Sequence, residues 1–219
     1  MGIVLMLMTI GGLIVAAVLL VISRITKNTW LKHFVWGGLT TWFAAYVFLF
    51  FCASFFSQEK TLFLDEPKEF CGFYFDCHLH AAVSGVRKTK TLGDRTANGE
   101  FYVVKVKVFS DAKQAALGLI TVDARVFDEQ NREFSRDAQA EARLGEQPPF
   151  ERQISPVESF EKEIVFDLPT DATNPRLDIR EGYGVDRAIE SILIGDEDSL
   201  FHKRIRFNLE QPQVNAGLN

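Results

Sequence analysis

Two uncharged apolar runs at the start of the chain constrain its fold more than any other feature. Residues 2–23 (GIVLMLMTIGGLIVAAVLLVIS) and 34–56 (FVWGGLTTWFAAYVFLFFCASFF) contain no Asp, Glu, Lys or Arg. As helices rising 1.5 Å per residue, each extends for roughly 33 Å, enough for a bilayer core. Only RITKNTWLKH separates them, so the two helices return on each other as a hairpin. Average composition conceals this: 47% hydrophobic and 24% charged residues would suit an ordinary soluble domain. Residues 1–57 hold three charged side chains, Arg24, Lys27 and Lys32, and residues 58–219 hold the other 50. The chain therefore reads as a transmembrane α-hairpin (1–57) followed by a water-facing domain (58–219). A wholly soluble protein is excluded, and so is a transporter filling the whole length.

A cleaved signal peptide is the alternative for the first run. It requires a basic leader and a shorter apolar stretch, and no Lys or Arg precedes Arg24. Lys and Arg of short loops stay on the cytoplasmic side. The three cations of loop 24–33 place it there, with both termini and residues 58–219 outside. Trp30 and Trp36 suit the inner interfacial belt. Gly37, Thr41 and Ala45 on the second run, and Gly12 and Ala16 on the first, recur at four-residue spacing. Small residues in such rows let helices approach closely. Homo-oligomerisation is one reading; mutual packing of the two helices is the plainer one. With no ionisable residue in either run, an ion pathway is not expected.

Residues 58–219 suffice for one domain with its own core. They carry 21 Lys and Arg against 29 Asp and Glu, a balance that disfavours nucleic acid or anionic lipid headgroups as partners. Period-two alternation recurs in NGEFYVVKVKVFS, TVDARVFDEQNREF, FEKEIVFDLP, RLDIRE and HKRIRFNLE. In the first, Tyr102, Val104, Val106 and Val108 share one face while Lys105 and Lys107 point away. One buried and one wet face is the pattern of antiparallel sheets, and repeated short strands predict a β-sandwich. FCGFYFDCHLHAAV reads as a single central strand. Residues 136–144 have a helix-favouring composition.

From NGEFYVVKVKV to RLDI the chain resembles the DUF4352 family. The features that carry the likeness fall at Val104–Val108, Phe127–Phe134, Pro156–Ser159, Val165–Pro169 and Leu177–Ile179. Ser110 and Asp111 depart from it, standing where that family tends to have Asn. The resemblance implies an immunoglobulin-like sandwich tethered outside a bacterial cytoplasmic membrane, with no enzymatic activity to carry over. Residues 182–209 extend beyond the pattern and read as one or two added closing strands.

The cluster with most chemical potential is CGFYFDCHLH. On an extended strand Asp76, His78 and His80 share a face. Two histidines spaced in this way suit one metal, with His202 as a third ligand and Asp76 or Cys77 as others. Imidazole and thiolate together would favour copper or zinc. Ordinary surface histidines, with no cofactor, are the commoner outcome of a His-x-His pair. Outside the membrane a Cys71–Cys77 disulfide is open to the chain. A continuous strand would hold those cysteines roughly 20 Å apart, so the bond requires GFYFD to bend. Cys52 lies in the second run as a packed thiol. The three acids of GDEDS (195–199) read as a solvated turn, since the calcium-loop spacing is absent. No nucleophile motif or phosphate-binding glycine loop is present. The expectation is a binding or structural module, not an enzyme, whose partners are the membrane and envelope proteins. A copper- or zinc-binding protein is the alternative.

Overall fold

The computed structural model describes residues 2–72 and 76–210, and at 72 and 76 the backbone only. Its contacts divide it into two units, 1–59 with 184–204, and 60–183 with the segment from 205 onward.

In the first unit, helix α1 spans Gly2–Ile25 and α2 spans Thr29–Phe56. Both are long and apolar enough to cross a membrane. The connection is shorter than the apolar runs suggest. Asn28 ends it as an N-cap, its side chain accepting the Leu31 N–H at 3.2 Å, so residues 29–33 already belong to α2. Such a cap satisfies one of the first-turn donors that a helix leaves unpaired. The helices meet through Ala16 and Val35, both buried, beside a cleft lined by Gly12, Gly38, Leu39 and Trp42. Trp42 Nε1 donates to Thr9 Oγ1 at 3.0 Å across this seam. Gly12 lines this cleft and Ala16 is buried beside it. Gly37, Thr41 and Ala45 stand one residue out of phase with the seam formed by Val35, Gly38 and Leu39.

Residues 184–204 belong to this same unit rather than to the sandwich, and of the one or two closing strands expected over 182–209 one forms, at Ile205–Asn208. They form a short helix, α3 (Gly184–Glu190), and a series of turns. Ile189, Ile192 and Leu193 are spaced i, i+3, i+4, a helical rather than a strand pattern.

The second unit is a β-sandwich. Its five-stranded sheet has the order β1 (Lys60–Leu62), β9 (Ile205–Asn208), β8 (Arg176–Arg180), β5 (Asp123–Phe127), β6 (Glu133–Ser135). The four-stranded sheet has the order β2 (Lys68–Gly72), β3 (Asp76–Leu92), β4 (Arg95–Ser110), β7 (Ser159–Leu168). Pairing is antiparallel except for β1 and β9, which run parallel with Lys60 opposite Ile205. The predicted alternation becomes the core. Tyr102, Val104, Val106 and Val108 of β4 and Ile164, Phe166 and Leu168 of β7 pack with Val126, Leu177, Ile179 and Phe207 of the other sheet. Most of these are wholly buried; each such side chain contributes about 1.5–3 kcal/mol of transfer free energy. Lys68 clasps the two sheets, its buried ammonium donating to the Ile179 carbonyl at 2.7 Å.

The opposite face of β4 is also covered. Phe101, Val103 and Val165 form a second cluster with Leu92, Ala97 and Ala140. The covering element is α4 (Ala138–Glu141), extended by a 3-10 turn at Ala142–Leu144, where the sequence predicts a short helix. The turn joining β5 to β6 is built on Asp128, which is fully buried. Its carboxylate accepts the backbone N–H of Gln130 and of Arg132 and the Arg132 Nε–H. Burial pushes this carboxyl up, but those hydrogen bonds outweigh it and hold it below the usual range.

The expected central strand over 70–83 is a hairpin instead. β2 turns back into β3, with Lys68 opposite Ala81 and Gly72 opposite Asp76. This fold-back sets the Cys71 and Cys77 Cα atoms 3.9 Å apart, and the two are joined by a disulfide. The separation expected of a continuous strand does not arise, because β2 and β3 pair antiparallel and bring the two cysteines side by side.

Candidate functional site

The histidine pair lies on β3, beside the end of β4. His80 sits opposite Phe109 and Leu79 opposite Ser110 in the ladder. The next residue, Asp111, donates its N–H to the His78 carbonyl at 3.1 Å. Its side chain turns back over the strand. One carboxylate oxygen, Oδ1, lies 2.7 Å from His78 Nδ1 and 3.4 Å from His80 Nε2. Hydrogen bonding from His78, and then from His80, holds the Asp111 carboxyl below the usual aspartate range against slight desolvation. His80 is buried and stacks on Phe109, with centroids 5.0 Å apart. Its Nδ1 has no hydrogen-bond partner. His78 is half-exposed.

The five residues expected around a metal are not brought together. Cys77 has its sulfur in the disulfide with Cys71. His202 belongs to the other unit, where its Nδ1 lies 2.9 Å from the Lys203 carbonyl. The side chain of Asp76 lies outside the described residues. His78 and His80 do converge, but on a carboxylate oxygen placed where a cation would have to sit, and nitrogen ligands need about 2.0–2.1 Å to zinc. Among the described residues no group of three or more His, Cys, Asp or Glu side chains could hold a metal ion. Asp111 is the member that sequence reasoning missed. Its one signal was that it departs from Asn at that position.

A second feature is a polar groove of about 730 Å³ between the start of β4, the edge strand β6 and α4. Its walls are fixed by local pairing. Arg95 bridges to Asp137 at 2.9 Å and also meets Gln139. Asp137 caps α4 by accepting the Ala140 N–H at 2.9 Å. Arg136 makes a two-pronged pair with Glu141 at 2.8 and 2.5 Å. On the opposite wall Asp167 accepts the N–H groups of Asn98 and Gly99 at 2.8 and 3.0 Å. The groove thus offers fixed charges of both signs beside a sheet edge that, among the described residues, pairs only with β5.

The sequence matches the family model described as "Domain of unknown function (DUF4352)" over residues 76–189, more than half of the chain. The protein belongs to the DUF4352 family. The match begins at β3 and ends within α3, so it takes in the histidine cluster and the groove. Three solved structures align with parts of the chain. The secreted protein MPT63 of Mycobacterium tuberculosis aligns with a TM-score of 0.42 at 10% identity, covering 69% of this chain and 98% of its own. An uncharacterised β-sandwich protein of Clostridium difficile 630 has a TM-score of 0.40 at 8% identity, covering 70% and 96%. A conserved hypothetical protein of Bacillus anthracis has a TM-score of 0.37 at 16% identity, covering 54% and 94%. No curated protein matches the chain. DUF4352 membership supports the sandwich and transfers no catalytic residue.

Proposed function

We propose that this DUF4352 protein is a binding module anchored in a bacterial cytoplasmic membrane by the α1–α2 hairpin. The sandwich faces the extracytoplasmic side. Loop cations Arg24, Lys27 and Lys32 support that orientation, and the Cys71–Cys77 bridge fits an oxidising compartment. The observation that carries the binding role is the groove between β4, β6 and α4, whose paired charges are held in place before any ligand arrives. Side chains fixed in advance spare a ligand the cost of ordering them. Its occupant is a polar, extended segment of another membrane or envelope protein.

The test is photo-crosslinking in intact membranes. A photoreactive residue at Gln139, in the groove wall, should give a discrete adduct that Arg95→Glu abolishes. The same residue at Gln130, in the β5–β6 turn, should give none. Equal adducts from both positions, insensitive to Arg95→Glu, would count against the groove.

A further inference from the structure

We infer that residues 184–204 form a third membrane-contacting element, lying in the outer leaflet against the ends of α1 and α2. This rests on the reading of that hairpin as membrane-spanning.

The segment is fastened to the hairpin along its length. Tyr46 Oη donates to the Ile192 carbonyl at 2.8 Å, and Ser54 Oγ to the Leu200 carbonyl at 3.1 Å. Lys203 N–H donates to Ser57 Oγ at 2.9 Å. Phe201 stacks on Phe51 with centroids 6.0 Å apart. The backbone of Ile194 lies so close to Gly2 that a Cβ there would sit 2.6 Å from the Ile194 carbonyl oxygen. Both helices therefore carry the segment, at the ends remote from the Thr26–Asn28 connection.

The depth of these contacts decides the occupant. Phe51 and Tyr46 lie five and ten residues before Phe56, about 7.5 and 15 Å down the axis of α2. A segment reaching those levels shares the environment of the lipid-facing helix surface. Its own side chains agree. Val185, Ile192, Leu200 and Phe201 are 71%, 50%, 53% and 72% exposed, and Phe48, Phe55 and Phe56 on α2 are exposed as well. Charged residues flank them on both sides, Asp186, Arg187 and Glu190 before Ile192 and Asp196, Glu197, Asp198, Lys203 and Arg204 around Leu200 and Phe201, so the segment combines apolar and polar surface as an interfacial element does. Irregular backbone is tolerated at membrane depth only where its polar groups are satisfied by protein. Here hydroxyls of Tyr46 and Ser54 meet the Ile192 and Leu200 carbonyls, and the Leu200 N–H donates to the Ser191 carbonyl at 2.9 Å. Lipid acyl chains and their headgroups are the partner that fits this surface.

The experiment uses the full chain in a Cys52→Ser background, reconstituted into phosphatidylethanolamine–phosphatidylglycerol vesicles. An environment-sensitive fluorophore is attached at Phe201→Cys and, independently, at Ile192→Cys. Control labels sit at Val15→Cys, mid-span on α1, and at Gln130→Cys, on the sandwich. Nitroxide on the upper acyl chain should quench most of the emission at 201 and 192, and aqueous iodide should quench little, as at Val15. If 201 and 192 respond to iodide as Gln130 does while Val15 is quenched by lipid, the interfacial element is overturned and the membrane anchor stands. If Val15 also escapes lipid quenching, both readings fall.

Discussion

Gly99→Ala is the most exacting test of the β4–β7 seam. Gly99 lies on β4 one residue before the ladder begins, Glu100 being opposite Leu168. A Cβ at this position would sit 1.8 Å from the Leu168 carbonyl oxygen and 2.6 Å from both the Leu168 carbonyl carbon and Pro169 Cα. A comfortable carbon–oxygen contact is about 3.3 Å, so the strands must part by about 1.5 Å. All three obstructing atoms are backbone, and no rotamer change relieves the overlap. Parting also stretches the Gly99 N–H bond to Asp167. Overpacking costs typically 1–3 kcal/mol, and a rigid obstruction belongs at the top of that range. About 3 kcal/mol corresponds to a fall of about 10 °C in Tm for a domain of this size. Gly85→Ala on β3 is the matched control, because its Cβ would meet only Lys105 Cβ, at 4.0 Å. That variant should be neutral or up to about 1 kcal/mol more stable through loss of unfolded-state freedom. The assay is thermal unfolding of the full chain in detergent, followed by circular dichroism of the sandwich. Tryptophan fluorescence would not serve, since Trp30, Trp36 and Trp42 all lie in α2. Equal Tm values for the two variants would refute the steric argument.

Three further outcomes are expected. Replacing Cys71 and Cys77 by Ser reopens a small loop and should cost about 2 kcal/mol by the chain-entropy relation, read as a lower denaturation midpoint; an unchanged midpoint would show the bridge to be energetically idle. The Asp111 carboxyl is depressed in the folded state by His78 first, so its contribution is complete above the ordinary aspartate value of 3.8 and is lost as pH falls through the lower folded value; Asp111→Asn should flatten the acid limb of the stability curve, and an unaltered limb would dissociate Asp111 from the histidines. In a Cys52→Ser background, an impermeant maleimide applied to intact cells should label Gln130→Cys and spare Lys27→Cys, whereas labelling at Lys27 would invert the orientation.

Much of the sandwich was legible because its strands bury one face. The alternation at Tyr102–Val108 and Ile164–Leu168 reports that burial directly, as does the apolar length of α1 and α2. Other parts have no such signature. Three-residue β1 is too short to alternate. The hairpin at Gly72–Asp76 hides within a run of Phe, Tyr and Cys, whose strand propensity masks the reversal that the disulfide closes. The docking of residues 184–204 depends on individual hydroxyls of Tyr46, Ser54 and Ser57 meeting distant backbone groups, and no local pattern encodes that. Asp111 joins His78 and His80 only through the β3–β4 register. The groove likewise exists only once β4, β6 and α4 are side by side.

An ectodomain on a single stalk is shed by one proteolytic cut. In this chain a cut between Ser57 and Lys60 severs α1 and α2 from everything that follows, yet the released piece still contains residues 184–204. That stretch stays on the hairpin through Tyr46, Ser54 and the Phe51–Phe201 stack. The nicked halves are therefore expected to co-purify as one complex in mild detergent, release requiring a second event that peels the segment away.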